Sequence, residues 1–291
     1  MKATTVTVAF GIVVILGAVI GFGLTGGVAN DSELRATWTS DTGRQVSANH
    51  HAVAVADGGV YAPISDDGDG SCALISMDMV DGDTRWTYGI PSENCTIHAV
   101  ADPTVTDVDS DGQNEVLAAT TEKEVAILDT NSGDIETRLN LSDYGYTQPI
   151  VADLAPTTGQ EIIAVDVTGT VFVFGSDGTT LWTASLNEYV WAQPTVEDFD
   201  RDSRPELLVG GQNGNAVLFG HNGTVEWNTT VSDKGSITWG THGQADEDSA
   251  LESFFATTGG DIVAVDGRNG SVDWRTMIGE FAAVRAFGDA D

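Results

Sequence analysis

Three stretches of this chain superimpose on one another without a gap. They are Asp102-Pro-Thr-Val-Thr-Asp-Val-Asp-Ser-Asp-Gly-Gln-Asn-Glu-Val-Leu, Gln148-Pro-Ile-Val-Ala-Asp-Leu-Ala-Pro-Thr-Thr-Gly-Gln-Glu-Ile-Ile and Gln193-Pro-Thr-Val-Glu-Asp-Phe-Asp-Arg-Asp-Ser-Arg-Pro-Glu-Leu-Leu. Pro103, Pro149 and Pro194 mark a period of about 45 residues, and a weaker fourth copy runs from Trp239 through Gln244 to Glu252. A chain built this way must fold as an array of like units, because no unit alone can bury its apolar face. Each copy continues alike. An apolar strand follows the acidic loop (Glu115–Ala119, Glu161–Val165, Glu206–Gly210, Glu252–Ala256), then a turn and an alternating strand such as Val171–Phe174 or Ala216–Phe219. A Gly turn (Gly178, Gly223, Gly270) leads to a last strand holding Trp182, Trp227 or Trp274. Trp38 and Trp86 sit at that place in earlier copies, and Arg138 takes it after Gly133. Turn dipeptides between short alternating runs are hairpin signals. Four strands per repeat predict an all-β fold, a β-propeller of four-stranded blades; an open β-sandwich needs no such even repetition.

The strand–Gly turn–Trp element, as in Ile262-Val-Ala-Val-Asp-Gly-Arg-Asn-Gly-Ser-Val-Asp-Trp274, resembles the Ala-x-Asp-x-x-Thr-Gly-x-x-x-Trp repeat of quinoprotein-type (PQQ-type) propellers. The acidic element resembles the calcium loop of FG-GAP repeats, found in integrin α-subunits and microbial surface proteins. Together the two patterns cover nearly all of the chain from Trp38 onward. The combination is similar to quinoprotein-like repeat proteins of haloarchaeal cell surfaces. The resemblance implies calcium-pinned blades. The catalytic quinoproteins of that kind would bring eight blades and a vicinal disulfide, and Cys72 and Cys95 are not adjacent.

Five blades are expected, near 45–90, 96–140, 147–186, 191–231 and 238–278, with a partial repeat at 281–291. Closure by both termini would make six; otherwise the propeller is a piece of one with seven or eight, and the last acidic loop, cut after Asp291, favours that. The remaining expected segments are a cytoplasmic stub at 1–5, an apolar membrane segment at 6–28, and a linker with a first outer strand at 29–44. The apolar run holds no charge and is long enough for a transmembrane helix; a cleaved signal peptide usually has a shorter core. Lys2 places the N-terminus inside and the propeller outside. The expected location is therefore the cell membrane, single-pass, or secreted if the segment is cleaved.

Export gives meaning to the two cysteines, since an even pair in an oxidising compartment is expected to form a disulfide, Cys72 to Cys95. Sequons at Asn94, Asn140, Asn222, Asn228 and Asn269, with another at Asn30, are candidate glycosylation positions. Charge narrows the partners. With 44 acids against 12 bases the net charge is −32, which repels nucleic acid and anionic lipid and leaves the N-terminal helix as the membrane contact. The acids are scattered through every segment, a pattern suited to concentrated salt, where the Debye length shrinks to about 3 Å.

A subset of these acids is organised. Asp107, Asp109 and Asp111 alternate around a tight loop, with Gly112 at the turn, the carbonyl of Gln113 as an uncharged oxygen, and Glu115 closing the shell. Asp198, Asp200, Asp202, the carbonyl of Arg204 and Glu206 repeat the spacing. Such hard, all-oxygen sets suit Ca²⁺ bound as a structural ion. Gln244, Asp246, Asp248 and Glu252 make a weaker candidate site. The Asp153 copy has Ala155 and Thr157 at the middle ligand positions and is expected to hold no ion.

The inner-strand starts ring a propeller's channel, so His50, Asp102, Gln148, Gln193 and Trp239 are candidates for one shared face, either a ligand pocket or a wet channel mouth. His51 and His98 precede inner strands, and His242 lies near another. The Trp residues of the repeats read as packing between blades, not as a sugar-binding stripe. No nucleophile elbow, phosphate loop or convergent acid–base set appears, so no catalytic residue is assigned. The expected role is a calcium-binding, non-catalytic binding or scaffold module at the cell surface, with a protein or glycan partner. The alternative is an exported enzyme, a quinoprotein-like dehydrogenase or a polysaccharide-active propeller.

Overall fold

The computed structural model describes residues 36–40, 51–66 and 71–284. The membrane segment at 6–28, most of the linker at 29–44, His50, the Asn30 sequon and the acidic end at 285–291 lie outside the described residues. Among the described residues no helix is long and apolar enough to cross a membrane.

Among the described residues twenty strands form five antiparallel sheets, each made of four consecutive strands. The first sheet holds β1 (Ala54–Ala56), β2 (Gly59–Ile64), β3 (Ala73–Asp78) and β4 (Thr84–Gly89). The second holds β5 (Thr104–Thr106), β6 (Glu115–Thr120), β7 (Glu124–Asp129) and β8 (Ile135–Asn140). The third holds β9 (Ile150–Ala152), β10 (Glu161–Val165), β11 (Thr170–Phe174) and β12 (Thr180–Ser185). The fourth holds β13 (Thr195–Glu197), β14 (Glu206–Gly210), β15 (Asn215–Phe219) and β16 (Val225–Thr230). The fifth holds β17 (Ile237–Gly243), β18 (Glu252–Thr257), β19 (Asp261–Asp266) and β20 (Val272–Met277). The architecture is all-β, and its five sheets are consistent with a propeller.

Burial grades across each sheet. The second strands β6, β10, β14 and β18 are buried at every residue, whereas β20 is exposed at every residue. Strands covered on both faces read as continuous apolar runs, which is why Val116–Ala119 and Ile162–Val165 show no alternation. The core is a series of layers between neighbouring sheets. One layer joins Leu117, Val125 and Leu139 to Ile162 and Phe174; another joins Ile163 and Val173 to Leu207 and Phe219. Each such fully buried side chain contributes about 1.5–3 kcal/mol by leaving water.

The fourth strands carry the joints between sheets. Trp86 Nε1 donates to the Thr130 carbonyl at 2.9 Å, Trp182 Nε1 to that of His221 at 3.1 Å, and Trp227 Nε1 to that of Gly267 at 2.8 Å. Trp38 does the same to Met79 at 2.9 Å. In every case the acceptor belongs to the turn between the third and fourth strands of the next sheet. The indole lies flat on a glycine of that turn. At Gly133, with φ +73°, an added Cβ would stand 2.6 Å from Trp86; Gly82, Gly223 and Gly270 meet Trp38, Trp182 and Trp227 in the same way. Only glycine satisfies both the backbone and the contact.

The second sheet breaks the pattern, and not where the sequence suggested. A bulge in each fourth strand, at Leu181, Glu226 and Glu136, sets the pairing, so that Val173 faces Trp182, Leu218 faces Trp227 and Ile127 faces Thr137. Thr137, not Arg138, therefore occupies the tryptophan position, and Gly178 of the next turn rests on Leu139 and Thr137. Arg138 points back instead, pairing with Glu124 and standing 5.9 Å from the Tyr88 ring of the preceding sheet.

The expected disulfide is present. Cys72 and Cys95 are joined, with Cα atoms 5.3 Å apart. The bridge ties the start of β3 to the link that leads into the second sheet.

Candidate functional site

Strands of a meander alternate in direction, so the connections sort to two ends. The first-to-second connections (the acidic loops) and the third-to-fourth turns share one end. Thus Asn114 reaches Asp57 of the neighbouring sheet at 2.7 Å, and Leu251 N donates to the Phe199 carbonyl at 2.8 Å. The second-to-third turns and the links between sheets share the other end.

Four of the five second strands, β6, β10, β14 and β18, open at the acidic end with a buried carboxylate. Glu115, Glu161, Glu206 and Glu252 are at most 3 % exposed. Each accepts a backbone N–H from its own loop: Val108 to Glu115 at 2.9 Å, Leu154 and Ala155 to Glu161 at 2.8 Å each, Phe199 to Glu206 at 2.9 Å, and Ala245 to Glu252. The glutamate thus shapes the loop before any ion is considered, a role that spacing alone did not reveal.

The loop acids then gather around it. Asp198, Asp200, Asp202 and Glu206 bring one oxygen each within 4.8 Å of one another. Asp107, Asp109 and Glu115 do so as well, and so do Asp246, Asp248 and Glu252. Oxygens bound to one Ca²⁺ at 2.3–2.6 Å can stand no more than about 5 Å apart, so the spread fits a single ion. Asp198 Oδ1 is buried and accepts no hydrogen bond. An orphaned carboxylate oxygen is expensive to bury without a cation or a donor, and the donor set here is all oxygen.

One sequence-predicted carboxylate, Asp111, lies outside the cluster of its own loop. Asp111 turns its carboxylate to Gln113, accepting from the backbone N at 2.8 Å and from Nε2 at 3.2 Å. The Gln244 amide is engaged by Asp246 N, Asp248 O and Ala250 O. The backbone N–H groups of Gln113 and Arg204 cap Asp111 and Asp202. In the Asp153 loop the Thr157 hydroxyl donates to Glu161. A neutral donor there satisfies the buried glutamate, and Ala155 supplies no oxygen.

Burial pushes Glu115 up to about 7 and Glu206 up to about 8, with the neighbouring Asp109 and Asp200 charges adding to the rise. Burial likewise raises Glu252. Carboxylates placed where the bare charge is disfavoured are those that a bound divalent cation would return to the ionised form.

At the opposite end, Asp102, Gln148 and Gln193 do sit at successive inner-strand starts. Gln148 N donates to Gln193 Oε1 at 3.0 Å, Gln193 Nε2 to the Gln148 carbonyl at 3.1 Å, and Gln148 Nε2 to the Pro103 carbonyl at 3.1 Å. These amides stitch one inner strand to the next. Trp239 lies within β17 and stands edge-on to Phe281 at 6.2 Å. His242 faces Glu197 at 3.4 Å and Phe199 at 5.8 Å, at the acidic end.

What the sequence did not assemble is a line of aromatic groups beside these glutamines. His51 Nδ1 lies 2.8 Å from Asp102, His51 Nε2 3.1 Å from His98 Nδ1, and His98 Nε2 3.0 Å from the Tyr146 hydroxyl. Tyr146 is followed by Tyr189 at 6.4 Å and Tyr189 by Trp191 at 6.1 Å. The signal was present, because Tyr144 and Tyr146 before Gln148 repeat as Tyr189 and Trp191 before Gln193.

Of the sequons, Asn140, Asn222, Asn228 and Asn269 are exposed and Asn94 is half-buried. Asn222 Oδ1 and Asn269 Oδ1 accept turn N–H groups from Thr224 and Ser271.

The fold has solved relatives. The structure is similar to that of the V. cholerae biofilm matrix protein Bap1, with TM-score 0.65 and 18 % identity over 84 % of this chain and 42 % of that one. It is similar to BamB from Moraxella catarrhalis, with TM-score 0.59 and 17 % identity over 82 % of this chain and 64 % of that one. A third, the quinohemoprotein alcohol dehydrogenase from Comamonas testosteroni, gives TM-score 0.58 and 12 % identity over 78 % and 42 %. The chain thus spans less than two thirds of each of these proteins, and at such identity the likeness is one of fold. No curated protein matches the sequence. The family model described as outer membrane protein assembly factor BamB, a PQQ-type repeat, matches residues 23–155 and 147–287. With nearly the whole chain matched, this protein belongs to the BamB-like family of PQQ-type repeat propellers.

Proposed function

We propose that this chain is a calcium-stabilised, non-catalytic binding and scaffold module, held at the outer face of the cell membrane by its N-terminal apolar segment. The observation that carries the calcium reading is the Asp198 loop, where four carboxylates converge and one buried oxygen lacks any donor. Asp107, Asp109 and Glu115 form the second site, and Asp246, Asp248 and Glu252 the third. In each, the ion would pin the turn between a first and a second strand, because the ligands come from one loop and the strand it enters. FG-GAP-like spacing supports this assignment, and the acid-rich composition supports work in concentrated salt. A scaffold role agrees with what the chain resembles, an assembly-factor family and a biofilm matrix protein. The partner is a protein or glycan at the cell surface.

The test is a thermal melt of the detergent-solubilised full chain in molar potassium chloride, with calcium and with a chelator. Calcium is expected to raise Tm, and Asp198→Asn to remove part of that rise while Asp153→Asn leaves it intact. Equal melting with and without calcium would count against structural ions. Protease treatment of intact cells tests the location, and a near-ultraviolet and visible spectrum with bound-quinone absorption would favour the dehydrogenase alternative.

A further inference from the structure

The line of rings at the end opposite the acidic loops has a direction. Burial raises the Tyr146 phenol to about 12, so it keeps its proton and donates it to His98 Nε2 across 3.0 Å. That leaves His98 Nδ1–H to donate to His51 Nε2 at 3.1 Å, and His51 Nδ1–H to donate to the Asp102 carboxylate at 2.8 Å. The tautomers follow from the network. Hydrogen bonds aligned in this way polarise one another. The chain ends on the Tyr146 oxygen, whose second lone pair makes it a strengthened acceptor for a hydroxyl group.

Beyond Tyr146 the row becomes apolar. Tyr189 is 40 % exposed and Trp191 is 38 % exposed. Trp191 is held in place, since its Nε1 donates to the Ile237 carbonyl at 2.7 Å. Tyr146 meets Tyr189 and Tyr189 meets Trp191, while among the described residues Tyr146 and Trp191 make no ring contact with each other, so the three stand in a row through Tyr189. Nearby charges are engaged elsewhere: Lys123 with Asp143 at 3.4 Å, and Glu188 with Asn213 N and Asn215 Nδ2.

We propose that Tyr146, Tyr189 and Trp191, backed by the Asp102–His51–His98 chain, form a binding site for an extended neutral oligosaccharide. Pyranose rings have apolar faces that stack on rigid aromatic side chains and hydroxyls that donate to a fixed acceptor, the pairing of apolar platform and few polar groups that small-ligand sites use. A row of platforms suits a chain of sugars. An organic cation would call for rings converging on one charge. The proposal deepens the binding-module reading and rests on it, but it is independent of the calcium loops.

The experiment follows tryptophan fluorescence of the calcium-loaded full chain in molar potassium chloride during titration with dextran, mannan, galactan and a soluble β-glucan, and separately with tetramethylammonium. Saturable change with at least one polysaccharide is expected. Tyr189→Ala is expected to weaken it about tenfold, the scale of one lost aromatic anchor, and Tyr146→Phe several-fold; Trp274→Ala, on β20, should leave it unchanged. No response to any of the four polysaccharides, equal affinity in the Tyr189→Ala protein, or response to tetramethylammonium alone overturns the proposal. Melting with and without calcium on the same samples separates the two readings. A calcium shift without a saccharide response overturns only this inference, and a saccharide response without a calcium shift overturns only the calcium sites.

Discussion

Trp227 Nε1 donates to the Gly267 carbonyl at 2.8 Å while its ring covers Gly270, so one side chain closes the joint between the fourth and fifth sheets. Trp274 occupies the same place in the fifth sheet, opposite Ala264. It is 44 % exposed, and no turn among the described residues receives it. Two tryptophans at the same position of the repeat therefore differ in what their loss should do. Trp227→Ala is expected to destabilise by about 3–5 kcal/mol, as for a buried aromatic, and Trp274→Ala by about 1 kcal/mol or less. Chemical denaturation of the two variants measures the difference.

The buried glutamates set an unusual pH response. Glu115 and Glu206 have folded values of about 7 and about 8, above the unfolded value of roughly 4.3. Between those limits the calcium-free folded state holds more protons than the unfolded chain, so these groups favour folding at low pH and lose that contribution as pH rises. Calcium-free protein should therefore show a fall in Tm over this window. Glu206→Gln should flatten it, and saturating calcium should suppress it. Melts across the range, with and without the ion, read all three.

The bridge between Cys72 and Cys95 closes a sequence separation of 23 residues. Constraining a loop of that size in the unfolded chain stabilises by about 3 kcal/mol. Cys72→Ser with Cys95→Ser, or mild reduction, should lower Tm by several degrees, and the effect should persist in chelator because the acidic loops lie elsewhere.

Net charge of −32 implies self-repulsion that salt must screen. Transfer from molar to low potassium chloride is expected to lower Tm sharply at constant calcium. An unchanged Tm would rule out adaptation to concentrated salt.

Much of the fold was legible because its determinants are local. Gly133 and Gly178 mark turns by their backbone requirement, Glu161–Val165 marks a buried strand by its unbroken apolar run, and the alternate acids from Asp198 to Glu206 mark a loop whose oxygens face inward. Each signal lies within one unit, and the repeat states it several times. The chain by itself therefore determined the four-stranded unit, its turns and the place of its acidic loops. Tertiary structure decided the rest. The bulged register placed Thr137 where counting had placed Arg138. The fold left Asp198 Oδ1 buried without a donor. His51, His98 and Tyr146, separated by 47 and 48 residues, became one hydrogen-bonded line. Adjacency between units depends on how sheets are set against one another, and no short-range pattern carries that information.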